Sequence, residues 1–165
     1  MTYLNLKTYF FCIFITLPFL LVSQYQDIDG LIIIEAENLN LKDNWVIENT
    51  KTGFTGNGYI VWNGEDYFNS PGNSIISITL TIKTPGTYRV QWRNGITIGS
   101  GTTDFNDSWL RFPDASDYYA TKTDVSTVYP SGSGKTPNPE GAGGADFFKI
   151  YTNTLEWNFN TSTSD

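Results

Sequence analysis

Apolar and polar side chains alternate most strictly over residues 74–93. Ile76, Ile78, Leu80 and Ile82 are interleaved with Ser77, Thr79 and Thr81, so the stretch has one greasy and one hydroxylated face, the period of a half-buried strand. Tyr88, Val90 and Trp92 alternate with Arg89, Gln91 and Arg93 in the same way, and Pro85-Gly86 between them supplies the fixed φ and the permissive glycine of a tight turn. The pattern predicts an antiparallel hairpin with one wet face. Its apolar face needs a second sheet to cover it, which points to a β-sandwich.

Shorter strand patterns flank this stretch. Residues 31–38 read as the first strand, 45–48 as a second, and 52–62 as a glycine-rich turn, with Gly53, Gly56 and Gly58, mixed with a third strand that ends at Trp62. Tyr67 and Phe68 follow in a polar loop closed by Ser70-Pro71-Gly72. Residues 94–149 are mostly loop, interrupted by a brief strand over 109–112 that Pro113 ends. A last hairpin is expected from 146–151 and 154–159 around Thr152-Asn153, with Phe148, Ile150, Leu155 and Trp157 as core. No helical window of useful length is present, and aromatics at 16% together with abundant Gly, Asn, Ser and Thr favour strands and turns.

Residues 1–23 change the picture. Lys7 precedes a nearly uncharged apolar run over 9–22, then Ser23 and a polar segment, the layout of a secretory signal peptide. A membrane anchor is the competing reading, but the run falls short of the ~20 residues of a span and Pro18 interrupts it. The expectation is export to the periplasm or outside, with one mature domain over 24–165 and no membrane partner after cleavage. Cys12, the sole cysteine, lies inside the leader, and the chain has no histidine. The mature protein then lacks disulfides, Cys or His nucleophiles and zinc sites. Ten Lys and Arg against 17 Asp and Glu give a charge of −7 without a basic run, which makes nucleic acid and anionic surfaces poor partners.

Candidate chemistry rests on carboxylates and rings. Glu35 and Glu37, two apart on an expected strand, would share a face, either as a solvated edge that discourages pairing or as hard oxygen ligands for calcium. Asp104, Asn106, Asp107, Asp114, Asp117 and Asp124 crowd the loop region, as a solvated loop or, in the alternative, a second metal site, though one without an EF-hand spacing. The Gly-Lys-Thr at 134–136 is not a phosphate loop, since the first glycine of that motif is missing and no helix follows. Trp62, Tyr67 and Trp109 fall at strand ends or in loops near Asp104, Asn106 and Asp107. Rings there are either core or flat platforms for pyranose C–H faces, with carboxylates and amides taking the hydroxyls.

IEAEN at 34–38, GNGYIVW at 56–62 and the Pro85-Gly86-Thr87-Tyr88-Arg89 hairpin, in that order and spacing, are similar to the opening of carbohydrate-binding modules of the family 6 and family 35 type. DFNDSWLRFPDASDYYATK at 104–122 resembles a group of such domains from secreted bacterial proteins. The resemblance covers about residues 31–165 and implies a calcium-bearing β-jelly roll of galactose-binding-like architecture that binds a polysaccharide or oligosaccharide without cleaving it. It also implies that Glu35 and Glu37 ligate a structural calcium. The family's closing hairpin and final Asp ligand have no counterpart before Asp165, so the last strands are expected to be missing and calcium to bind weakly. Two other classes stay open: a secreted adhesion or surface-assembly domain that binds protein, and a fragment of a glycoside-degrading enzyme, whose chemistry would need a suitably spaced carboxylate pair.

Overall fold

β-branched and aromatic runs separated by Gly, Pro and Asn produce strands of two to four residues in the computed structural model, which describes residues 24–122, 126–138, 146–159 and 162–163. The expected leader 1–23, with Cys12, lies outside the described residues, as does Asp124. The strands are β1 (Gln24–Gln26), β2 (Trp45–Glu48), β3 (Tyr59–Trp62), β4 (Thr79–Thr81), β5 (Asp107–Leu110), β6 (Ala120–Thr121), β7 (Thr127–Val128), β8 (Phe148–Tyr151) and β9 (Ser162–Thr163). One 3-10 turn, Ala36–Asn38, is the helical element among the described residues. The fold is all-β. Its strands form four small sheets, β1-β4, β2-β3, β5-β8-β9 and β6-β7. Among the described residues no helix is long and apolar enough to cross a membrane.

The second and third expected strands both form, and they pair with each other as β2-β3. Trp45 faces Trp62 and Glu48 faces Tyr59 in an antiparallel ladder, and the two indoles meet edge-on at 5.4 Å. Glycine at 58 lets the strands close, since a Cβ there would stand 2.7 Å from the Glu48 carbonyl oxygen. Tyr59 is buried, and its hydroxyl lies 3.0 Å from Thr50 Oγ1 and accepts from Lys51 N at 3.1 Å.

The central hairpin does not form. Of its first run only Thr79–Thr81 is a strand, and it pairs in parallel with β1, Tyr25 opposite Leu80; residues 82–93 contain no strand. Asp27 is the physical reason. It is 3% exposed, its backbone N–H donates to Thr81 O at 3.2 Å, and its Oδ1 accepts from Lys83 N and from Thr84 N. The carboxylate thereby caps the chain just where it leaves β4, and β1 takes the hydrogen-bonding edge that residues 88–93 would have used. Ile78, Leu80 and Ile82 are left exposed.

Residues 31–38 are not a strand either. Ile28 and Leu31 exchange backbone hydrogen bonds of 3.0 Å around Asp29 (φ 53°) and Gly30 (φ 78°), an Asp-Gly turn of the kind that closes tight hairpins. The chain then curls into the 3-10 turn with Glu35 at its N-cap.

The Lys83 N–H lowers the Asp27 carboxyl below its ordinary 3.8, against the opposing pull of burial. A depressed carboxylate contributes its stability above its unfolded value and loses it as pH falls through the folded one. Acid titration of the wild type is therefore expected to show a stability loss below about pH 4, and Asp27→Asn should lower the melting temperature at neutral pH and flatten that acid limb. Identical pH-melting profiles for the two proteins would remove Asp27 as the clasp of β1.

Val128, Phe148 and Ile150 form the buried core cluster, with Leu110, Tyr118 and Ala120 packed on it. Register explains the set: β5 and β8 pair antiparallel with Ser108 opposite Ile150 and Leu110 opposite Phe148, so one face of this pair is apolar. Tyr118 lies edge-on to Phe148 at 5.9 Å and donates its hydroxyl to Asp146 O. Phe148 and Ile150 are core as the pattern predicts. Their expected partner strand, 154–159, is not; β8 pairs with β5 and β9 instead. Leu155 is exposed, and Trp157 docks away from that core, 5.1 Å from Tyr59 and donating its indole N–H to Thr52 O at 2.9 Å. Trp92 is half-buried.

Candidate functional site

The second face of the β5-β8 pair is polar and aromatic. Asp107 stands opposite Tyr151 and Trp109 opposite Lys149, and side chains two apart share a face, so these four gather on the side away from the core. Lys149 is held between buried Phe148 and Ile150 and is itself 8% exposed. Its Nζ lies 3.7 Å from Asp107 Oδ1 and 5.5 Å from the ring centroids of Phe68 and Tyr151. The Asp107 carboxyl and the two ring faces stand where water would otherwise surround this side chain.

Around this pair opens a cleft of about 240 Å³ lined by Phe68, Thr103, Asn106, Asp107, Lys149 and Tyr151. Asn106 is fixed by its Nδ2, which donates to Thr152 O at 2.8 Å. The lining thus combines two rings, an amide, a hydroxyl, a carboxylate and an ammonium, all but the loop residues Phe68, Thr103 and Asn106 carried on strands. Such a set can hold a polar ligand with an apolar face, the rings taking the C–H surface and the polar groups its hydroxyls.

The structure brings two of the six expected ligand-binding residues, Asn106 and Asp107, into the cleft lining. Trp109 stands behind it, edge-on to Phe68 at 5.8 Å and half-buried, its buried indole N–H without a hydrogen-bond partner among the described residues. Trp62 and Tyr67 form a neighbouring aromatic group 6.0 Å apart, in which Trp62 also packs on Trp45 and donates its N–H to Glu65 O at 2.9 Å. Asp104 is occupied with its own loop, its Oδ2 accepting from Gly101 N at 2.8 Å. Phe68, Thr103, Lys149 and Tyr151 escaped the sequence reading. A charged residue alternating between two core positions, as Lys149 does between Phe148 and Ile150, is a signal that could have singled out the lysine; nothing local marks the other three.

Glu35 and Glu37 do come together, though not by strand alternation. Glu35 Oε2 accepts from Thr55 Oγ1 at 2.9 Å and Glu37 Oε1 from Asn57 N at 2.8 Å, so both carboxylates converge on Gly56, whose φ is 64°. A Cβ at 56 would collide with Glu37 Oε1. Glu37 is 8% exposed. Among the described residues no three His, Cys, Asp or Glu side chains gather to hold a metal ion. The pair therefore offers two carboxylates, and any further ligands would have to be backbone carbonyls, hydroxyls or water.

Comparison of the chain with protein-family models, curated proteins and solved structures gave no significant match.

Proposed function

We propose that the protein binds a polysaccharide or oligosaccharide without cleaving it, in the cleft between Phe68 and Tyr151, as a secreted β-sandwich module of the jelly-roll kind. The observation that carries this reading is the convergence of two rings with Asn106, Asp107, Lys149 and Thr103 in one cleft, three of them from strands and three from loops. Asp107 is the one carboxylate in the lining and is engaged with Lys149, an arrangement that favours holding hydroxyls over the two-carboxylate chemistry of hydrolysis. Export with removal of 1–23 belongs to the same reading; intact-mass analysis of the released protein should give a chain starting near Gln24, and a product that keeps Met1 and sediments with membranes would replace export by anchoring.

Calcium at Glu35 and Glu37 is the cofactor of this reading. The convergence of both carboxylates on a position with no Cβ supports it, and the ion would tie the 3-10 turn to the loop at 55–57 by neutralising their repulsion.

Affinity electrophoresis against a polysaccharide panel tests the binding. The wild type should be retarded by at least one glycan, and Phe68→Ala should weaken that binding by ~1–3 kcal/mol, the loss expected for one contact ring. Because Phe68 is partly exposed, its melting temperature should change little. No retardation by any glycan ends the binding reading, and release of reducing sugar by the wild type would make the protein an enzyme.

A second reading, an adhesion or surface-assembly domain that binds protein, is favoured by the exposed row Ile78, Leu80 and Ile82. Glycan arrays run beside pull-downs with defined surface proteins separate the two: retention of protein and no glycan selects this one.

A further inference from the structure

The loop that supplies Thr103 and Asn106 to the cleft carries between them a ring that the fold itself does not use. Phe105 has φ 48° and is 80% exposed, the largest exposure among the large apolar side chains of the described residues. The other described residues that hold a positive φ without being glycine are Asp29, Asp43, Ser74 and Asp146, all short and polar, whereas a bulky ring in this region is strained. Both neighbours of Phe105 are tied down. Asp104 Oδ2 accepts from Gly101 N at 2.8 Å and Asn106 Nδ2 donates to Thr152 O at 2.8 Å, so the conformation at 105 is imposed from either side. Glycine or asparagine would serve that turn with less strain, and an exposed ring serves no core. Neither the turn nor the packing accounts for a phenylalanine here.

Placement gives the ring a use. Consecutive Cα atoms stand ~3.8 Å apart, which sets Phe105 at the mouth of the cleft beside Asn106, outside the lining itself. The cleft holds about 240 Å³, below the ~300–1,000 Å³ of pockets that enclose a whole ligand, so it has room for about one sugar ring and the rest of a chain must lie over the mouth. We infer that the Phe105 ring is the contact for a second sugar unit at that mouth, which makes the ligand an oligosaccharide chain rather than a single sugar. The inference rests on the glycan-binding reading above and deepens it. A pyranose C–H face laid on the ring takes apolar surface of both partners out of water, and this gain exists only in the complex because the free ring is hydrated. The fixed backbone helps as well. A ring whose main chain is already held by its neighbours has little freedom left to lose on binding.

The experiment compares a monosaccharide with its trisaccharide, both taken from a glycan that the wild type binds, by NMR titration, which follows weak binding. The wild type should prefer the trisaccharide about tenfold or more, the ratio that ~1.4 kcal/mol gives. Phe105→Gly should remove that preference by weakening the trisaccharide and leaving the monosaccharide as it was, and Phe105→Tyr should keep it. Glycine relieves the backbone at 105, which offsets the freedom it adds to the unfolded chain, so Phe105→Gly should melt no lower than the wild type. Phe105→Asn, also at home in this conformation, should match the glycine variant in both measurements. Equal affinity of the wild type for the two sugars, an unchanged preference in Phe105→Gly, an equal loss of both sugars, or a fall in its melting temperature that marks the ring as structural overturns the inference while leaving glycan binding in place. A wild type that binds no glycan overturns the binding reading and this inference with it.

Discussion

Phe148→Ala is expected to destroy cooperative folding at ambient temperature. Phe148 is 4% exposed and central to the core cluster, in contact with the Tyr118 ring and opposite Leu110 in the ladder. Removing a buried phenylalanine ring costs ~3–5 kcal/mol in transfer energy and cavity formation. A domain of this size has only about 5–15 kcal/mol in all, and the core that Phe148 serves is a small one, with few neighbours able to close the gap. The loss should reach the cleft as well, because Phe148 and Ile150 hold the backbone on which Lys149 stands. Leu80→Ala is the control: Leu80 is 40% exposed, and its truncation should leave the denaturant midpoint nearly unchanged. Urea melts of both variants give the answer. A Phe148→Ala protein that melts like the wild type would mean that the cluster is not what stabilises the fold.

Gly56→Ala should cost nearly as much by a different route. The backbone at 56 has φ 64°, a region that a residue with a Cβ enters at ~1–2 kcal/mol, and the new methyl would occupy the place of Glu37 Oε1. Displacing that oxygen breaks its part-buried bond to Asn57 N, and a hydrogen bond to a carboxylate is worth a further ~1.5–3 kcal/mol. The variant also bears on calcium. An ion that binds the folded state raises the melting temperature; the wild type should show a small calcium-dependent rise, reversed by chelator, and Gly56→Ala and Glu35→Ala should both lack it. Absence of any calcium shift in the wild type reduces Glu35 and Glu37 to a hydrogen-bonded acidic pair that fastens the 3-10 turn to the loop at 55–57. A shift that survives Glu35→Ala would put the ion elsewhere.

The sequence by itself determined the local character of the chain. Alternation, β-branched and aromatic residues, and turn glycines act over a few neighbours, so the all-β class, the strands β2 and β3, a brief strand through Trp109 and Leu110, expected over 109–112 and found over 107–110, and the core positions Phe148 and Ile150 were legible without coordinates. Asn106 and Asp107 were legible as polar residues beside aromatics, and Glu35 and Glu37 as a pair two apart. Pairing between distant segments was not. The same alternation in residues 76–82 serves a hairpin with 88–93 or a parallel ladder with Gln24–Gln26, and a single carboxylate, Asp27, selects the second by capping the chain at Lys83 and Thr84. Likewise the strand at 148–151 could meet 154–159 or 107–110, and only its register on β5 sets Lys149 against Trp109 and beside Asp107, with Phe68 closing over them from a remote loop. Ladder hydrogen bonds are alike at every register and carry no address in the residues that make them; the choice among partners falls to buried side chains and capping groups far away in the chain, and these meet only in the folded molecule.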